Sequence, residues 1–149
     1  MGSILNDADR TAIVTRLGSV TDASKAGWGR LEAKAMLTHL KQSALMALGE
    51  LPVECKSPRV LHAFPVKHLI LHIVPFPKNA PTAPELLATQ DNGSVDTIRA
   101  EVVSLLERIG AGPREGAGPV HPLFGRLSFQ EWGIATYKHT DHHLRQFGA

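Results

Sequence analysis

The sequence predicts an all-α protein, a four-helix bundle with one additional short helix, in a single domain covering residues 1–149. Three observations predict it. Apolar residues recur at spacings of three and four along the longer segments, the period of a helix face. Asn, Ser and Gly stand at the ends of those segments, where helix caps belong. No segment of comparable length alternates with the period of two that marks a strand. The 149 residues are enough for a sizeable core, and 43% hydrophobic with 20% charged residues is a globular mixture.

The elements follow in order. Asn6 is an N-cap for a helix over 7–18, with Asp7 and Asp9 at its positive end and Ile13, Val14 and Leu17 on its apolar side. Ala26 to Gly29 is a turn, and a longer helix over 29–48 runs to Gly49. Leu37, Leu40, Ala44 and Leu48 form one stripe on it, and Met36, His39, Ser43 and Met46 an adjoining one, so this helix is central. Pro58 and Pro65 forbid a long helix in the middle of the chain and leave a short one at 66–74 after an irregular lead-in. A helical turn is expected at Pro84 to Ala88. Ser94 then caps a helix whose Val95, Ile98, Val102, Leu105 and Ile109 form a bundle seam ending at Gly110. Residues 110–125 hold five glycines and three prolines and read as a long loop, mobile in its Gly-rich part as a lid and anchored at Phe124. Ser128-Phe129-Gln130-Glu131 is a capping box that opens the last helix, 128–146.

Composition excludes several classes of function. The formal charge is only +2 and no basic tract exceeds two residues, so a nucleic-acid partner is not expected. No apolar run approaches the roughly 18 residues that span a bilayer, and the polar N-terminus lacks a leader pattern, so no membrane partner is expected. Met1-Gly2 is followed by Asn6 rather than the Ser or Thr of a myristoylation signal. A single cysteine, Cys55, allows no intrachain disulfide and suits a reducing, cytoplasmic setting.

The chemistry lies in the histidines, whose eight copies equal Phe, Trp and Tyr combined. His139 and His143, four apart on the last helix, project about 40° from each other, close enough to grip one ion. Trp132, Thr136 and Gln146 share their stripe, which places the pair on the interior face, although such a pair also occurs as ordinary hydrogen-bonded histidines near a terminus. A third ligand is needed for a stable site with an open position, and His39 is the candidate. A lone histidine on an apolar face is usually a satisfied core residue. Here, however, His39 lies at the middle of its helix and His139 near the middle of its own, so the two can meet whichever way the helices run. Three imidazoles leave coordination positions for water or substrate, the pattern of a catalytic rather than a structural metal, and suit zinc, nickel or iron(II).

The remaining features have plainer readings. His68 and His72 are also four apart, but on a short, proline-flanked helix, and are expected to make surface polar contacts. His62 and His121 are expected to be solvated in loops; His142 could line the pocket beside His139, but exposure is the plainer reading. Nothing in the sequence places a base beside Cys55, which reads as an inert thiol. The stretch 110–118 lacks the Gly-Lys-Ser/Thr ending of a phosphate loop, and Ser43 near His39 fits ordinary helix packing as well as a nucleophile and base.

Several segments together resemble the DinB/YfiT-like superfamily over nearly the whole chain. They are Trp28-Gly29, Met36 to Leu40, Pro77 to Leu86, His121 to Gly125 and, most specifically, Tyr137 to Gly148. The resemblance implies a four-helix bundle, often dimeric, with a divalent metal held by one histidine of the second helix and two of the last. Those positions match His39, His139 and His143. Where many members continue His-Arg-Gly-Gln after the last ligand, this chain has His143-Leu144-Arg145-Gln146, which weakens any transfer of substrate specificity. Characterised members include transferases and isomerases that use low-molecular-weight thiols, and others are described as hydrolases. The expected function is therefore a metal-dependent hydrolase or thiol transferase acting on a small molecule as a homodimer. The alternative is a non-catalytic bundle that binds metal or a small ligand.

Overall fold

The computed structural model describes residues 1–78 and 90–149, and the helical turn expected at Pro84 to Ala88 lies outside them. The protein is mostly helical. Among the described residues are five α-helices, α1 (Asp7–Leu17), α2 (Ala33–Ala47), α3 (Val66–His72), α4 (Val95–Gly110) and α5 (Phe129–Gln146). A short 3-10 turn at Arg59–His62 precedes α3, and two antiparallel strands, β1 (Ala117–His121) and β2 (Gly125–Ser128), lie between α4 and α5. No helix among the described residues is long and apolar enough to cross a membrane.

The caps are the ones that the side chains dictate. Asn6 Oδ1 accepts from the Asp9 amide at 3.0 Å, and Ser94 Oγ from the Thr97 amide at 3.1 Å. At the start of α5, Ser128 Oγ accepts from the Glu131 amide at 3.1 Å while Glu131 Oε2 accepts from the Ser128 amide at 2.8 Å, a complete capping box. Helix α2 begins at Ala33, four residues after the expected start at 29. Gly29 has φ +76°, outside the helical region, and Glu32 is extended and bridges to Lys25.

Helices α1 and α2 each pack against both α4 and α5. The α4 seam Val95, Ile98, Val102, Leu105 and Ile109 is buried throughout, as are Met36, Leu37, Leu40 and Ala44 of α2. Burial of these side chains supplies the main driving force, about 1.5–3 kcal/mol for each large one. Arg16 ties α1 to α5 through Asp141 at 2.6 Å.

Helix α3 docks by an unusual contact. Lys138 of α5 is only 9% exposed, and its ammonium donates to the carbonyls of Ile70, Leu71 and Val74. These oxygens end α3, so the lysine satisfies carbonyls that a helix C-terminus leaves open. Lys67 of α3 pairs with Glu131 of α5 at 2.7 Å.

The expectation of a patternless loop over 110–125 does not hold. Its second half is β1, paired with β2 in the register Ala117 with Ser128, Val120 with Arg126 and His121 with Gly125, irregular between Ala117 and Val120. Pro119 sits inside that irregularity, which a residue without an amide hydrogen suits. The hairpin is fastened rather than free. Trp132 Nε1 donates to the Pro119 carbonyl at 2.9 Å, and Arg114 Nη1 to the Leu5 carbonyl at 2.5 Å. Phe124, 1% exposed, is the anchor the sequence suggests.

Candidate metal centre

Helix α2 carries His39 on the stripe that holds Met36, Ser43 and Met46, and α5 carries His139 and His143 on successive turns of its inner face. The packing of α2 on α5 brings all three together. Their ring centroids form a nearly equilateral triangle, with 4.7 Å between His39 and His139, 4.9 Å between His39 and His143, and 4.8 Å between His139 and His143. One nitrogen from each lies within 4.8 Å of the others. Nε2 of His39 faces Nε2 of His139 at 2.8 Å.

The outward nitrogens of His139 and His143 are occupied. His139 Nδ1 lies 3.1 Å from Ser43 Oγ, and His143 Nδ1 donates to Gln146 Oε1 at 2.9 Å. Gln146 is itself fixed, since its Nε2 donates to the Trp28 carbonyl at 2.9 Å. Each contact engages Nδ1 and leaves Nε2 of its ring free for the centre, the orienting role that neighbours of metal-binding histidines serve.

Electrostatics favour neutral rings. Desolvation, with a smaller push from His143, lowers the His39 pKa to about 4. His143 is likewise lowered to about 4, mainly by desolvation. Burial and the adjacent histidines carry His139 well below its ordinary value. Three neutral, converging imidazoles with no carboxylate form a donor set that fits zinc, nickel or iron(II), so the residues present suit the ion their spacing suggested.

The triangle opens on a cavity of about 660 Å³, a size ordinary for small-molecule sites. Two further histidines line it: His121, contrary to the expectation of a solvated side chain, and His142, which takes the pocket position its place beside His139 allows. His121 packs between Phe124 and Trp132, with centroid distances of 4.8 and 4.9 Å, and its Nδ1 accepts from the Leu123 and Phe124 amides. Desolvation lowers its pKa to about 4. His142 is half-buried rather than exposed, between Trp28 at 6.0 Å and Phe76 at 6.4 Å. The sequence hides the burial of His121 because its surroundings include a hairpin without helical periodicity.

Outside the cavity, His68 and His72 stack at 4.3 Å beside Phe64 and take no part in the centre. The absence of a base near Cys55 is corrected. His62 Nε2 lies 3.1 Å from Cys55 Sγ and 2.9 Å from Ser57 Oγ, which donates to the Leu123 carbonyl. The 3-10 turn folds His62 back across seven residues, a reversal no spacing rule announces.

Comparison with protein-family models, curated proteins and solved structures yields no match to this chain.

Proposed function

We propose that the protein is a metal-dependent enzyme of the hydrolase or thiol-transferase type, with His39, His139 and His143 as ligands to one divalent ion. The observation that carries this reading is the triangle of imidazoles at the wall of a small-molecule cavity. A divalent ion held there supplies Lewis acidity, which lowers the pKa of a bound water or thiol. One ligand from the second long helix and two from the last also support a DinB-like four-helix bundle as the family of fold.

The chain's own groups have separable tasks. Ser43 and Gln146 orient His139 and His143. Phe76, Phe124 and Trp132 give the cavity apolar walls that limit water. His142, beside His143 at a centroid distance of 5.2 Å, faces the same space and is placed to take a proton from a bound nucleophile.

The test is elemental analysis of protein purified without a tag, followed by turnover assays on ester, amide and thiol-conjugation panels with and without chelator. Stoichiometric metal and chelator-sensitive turnover are expected. Stoichiometric metal without turnover would leave a metal- or ligand-binding bundle, and absence of metal would remove the centre altogether.

A further inference from the structure

The charge around the cavity identifies a class of ligand. Among the described residues lining it are two formally charged side chains, Arg30 and Lys78, and no carboxylate. Neither cation is in an ion pair among the described residues. Both are exposed, so they belong to the mouth, whereas the three imidazoles are half-buried further in. Lys78 Nζ stands 4.7 Å over the ring of Trp28, a cation–π contact that keeps its ammonium beside the opening.

The wall between mouth and imidazoles is largely apolar, with Leu31, Met46, Phe76 and Trp132 contributing to it. The three imidazoles bring no negative charge to a divalent ion. Among the described residues every formal charge at such a site is then positive, which favours a ligand that brings a compensating one. Like charges at a low-dielectric opening disfavour cationic ligands and raise the local concentration of anions. The confined volume favours a small molecule over a polymer.

We infer that the cavity takes a small amphipathic carboxylate, its anionic group held at the mouth by Arg30 and Lys78, its apolar body along Phe76 and Trp132, and its reacting end towards the three histidines. This assignment rests on the proposed metal site for the reaction, but its charge recognition lies in residues that are not ligands. Arg30 and Lys78 are therefore specificity residues, and neither is asked to touch the reacting atoms.

The test uses phenylacetate and phenethyl alcohol, a matched anionic and neutral pair, titrated calorimetrically into zinc-loaded and chelator-stripped protein. The carboxylate is expected to bind about tenfold more tightly in both forms, with the preference shrinking as salt rises. The double variant Arg30→Gln/Lys78→Gln is expected to lower that preference about fivefold while zinc content stays as in the unmodified protein. A preference that the double variant leaves untouched overturns the assignment, as does failure of either form to bind phenylacetate. Loss of the zinc site is detected separately, by a zinc content that does not depend on His39. That outcome overturns the metal reading without touching the charge recognition measured in stripped protein.

Discussion

His39 and His139 come from positions one hundred residues apart, yet their Nε2 atoms face each other at 2.8 Å where α2 packs on α5. Two imidazoles at that separation share one proton or one ion, and neither is charged near neutrality because burial depresses both. His39→Ala is expected to abolish stoichiometric zinc while the apo protein keeps its helical circular dichroism. Leu105→Ala, in the α4 seam, is expected to cost about 2–4 kcal/mol by leaving a cavity. If His39→Ala destabilises the apo protein as much as Leu105→Ala does, His39 is part of the core and not a ligand.

The neighbours of the three imidazoles carry a finer prediction. Ser43→Ala removes the 3.1 Å partner of His139 Nδ1 without touching a ligand atom. Zinc affinity, read by competition with a chromophoric chelator, is expected to fall about tenfold, with one ion still bound per chain. Gln146→Glu keeps an acceptor for His143 Nδ1 but loses the donor to the Trp28 carbonyl, so it is expected to weaken affinity less than Gln146→Leu, which loses both. Unchanged affinity in Ser43→Ala would show that packing alone orients His139.

Acid should unfold the apo protein through its histidines. His39, His121 and His143 titrate near 4 in the folded chain, held down mainly by desolvation, against about 6.5 when unfolded. Between these values the unfolded state binds more protons, so stability rises with pH across that window. Their contribution is complete above about 6.5 and is lost as pH falls towards 4. The apo melting temperature is expected to drop steeply from pH 6.5 to 4 and to change little through these groups from pH 7 to 8. Ordinary histidine ligands lose affinity below about pH 6.5, whereas these rings stay neutral to lower pH, so dialysis at pH 5.5 should leave zinc bound. Half-loss near pH 6.5 would contradict the buried environment described for the ligands.

The parts of the fold legible in the sequence are those governed by local periodicity and capping. The α4 seam and the Ser128–Glu131 box declare themselves because each rule acts within one or two helical turns. Helix spacing and the central placement of two helices mark out the trio His39, His139 and His143, and the fold brings those residues together. Contacts made by chain reversal were hidden. His62 meets Cys55 through the 3-10 turn, Lys138 reaches carbonyls 64–68 residues away, and β1 contains Pro119 with burial that does not alternate. Helix α2 starts late for a similar reason, since Gly29 is fixed by a conformation that glycine permits without announcing it.

The hairpin yields the last prediction, which replaces the idea of a free lid. A Cβ added at Gly118 would come within 2.8 Å of Trp132 Cδ1 and 3.2 Å of the Leu127 carbonyl oxygen. Trp132 cannot simply rotate away, because it is 3% exposed and its Nε1 donates to the Pro119 carbonyl. Gly118→Ala must therefore move β1 or the indole, an overpacking that costs about 1–3 kcal/mol. His121 packs on the same indole at 4.9 Å, so the strain falls on the cavity wall, away from the imidazole triangle's own contacts. The variant is expected to melt earlier, to keep its zinc, and to bind phenylacetate more weakly. Ser43→Ala should show the reverse separation, with weaker zinc binding and an unchanged carboxylate preference in stripped protein. If Gly118→Ala matches the unmodified protein in melting temperature and ligand affinity, the hairpin yields at little cost. It would then behave as the mobile segment that its glycine content first suggested.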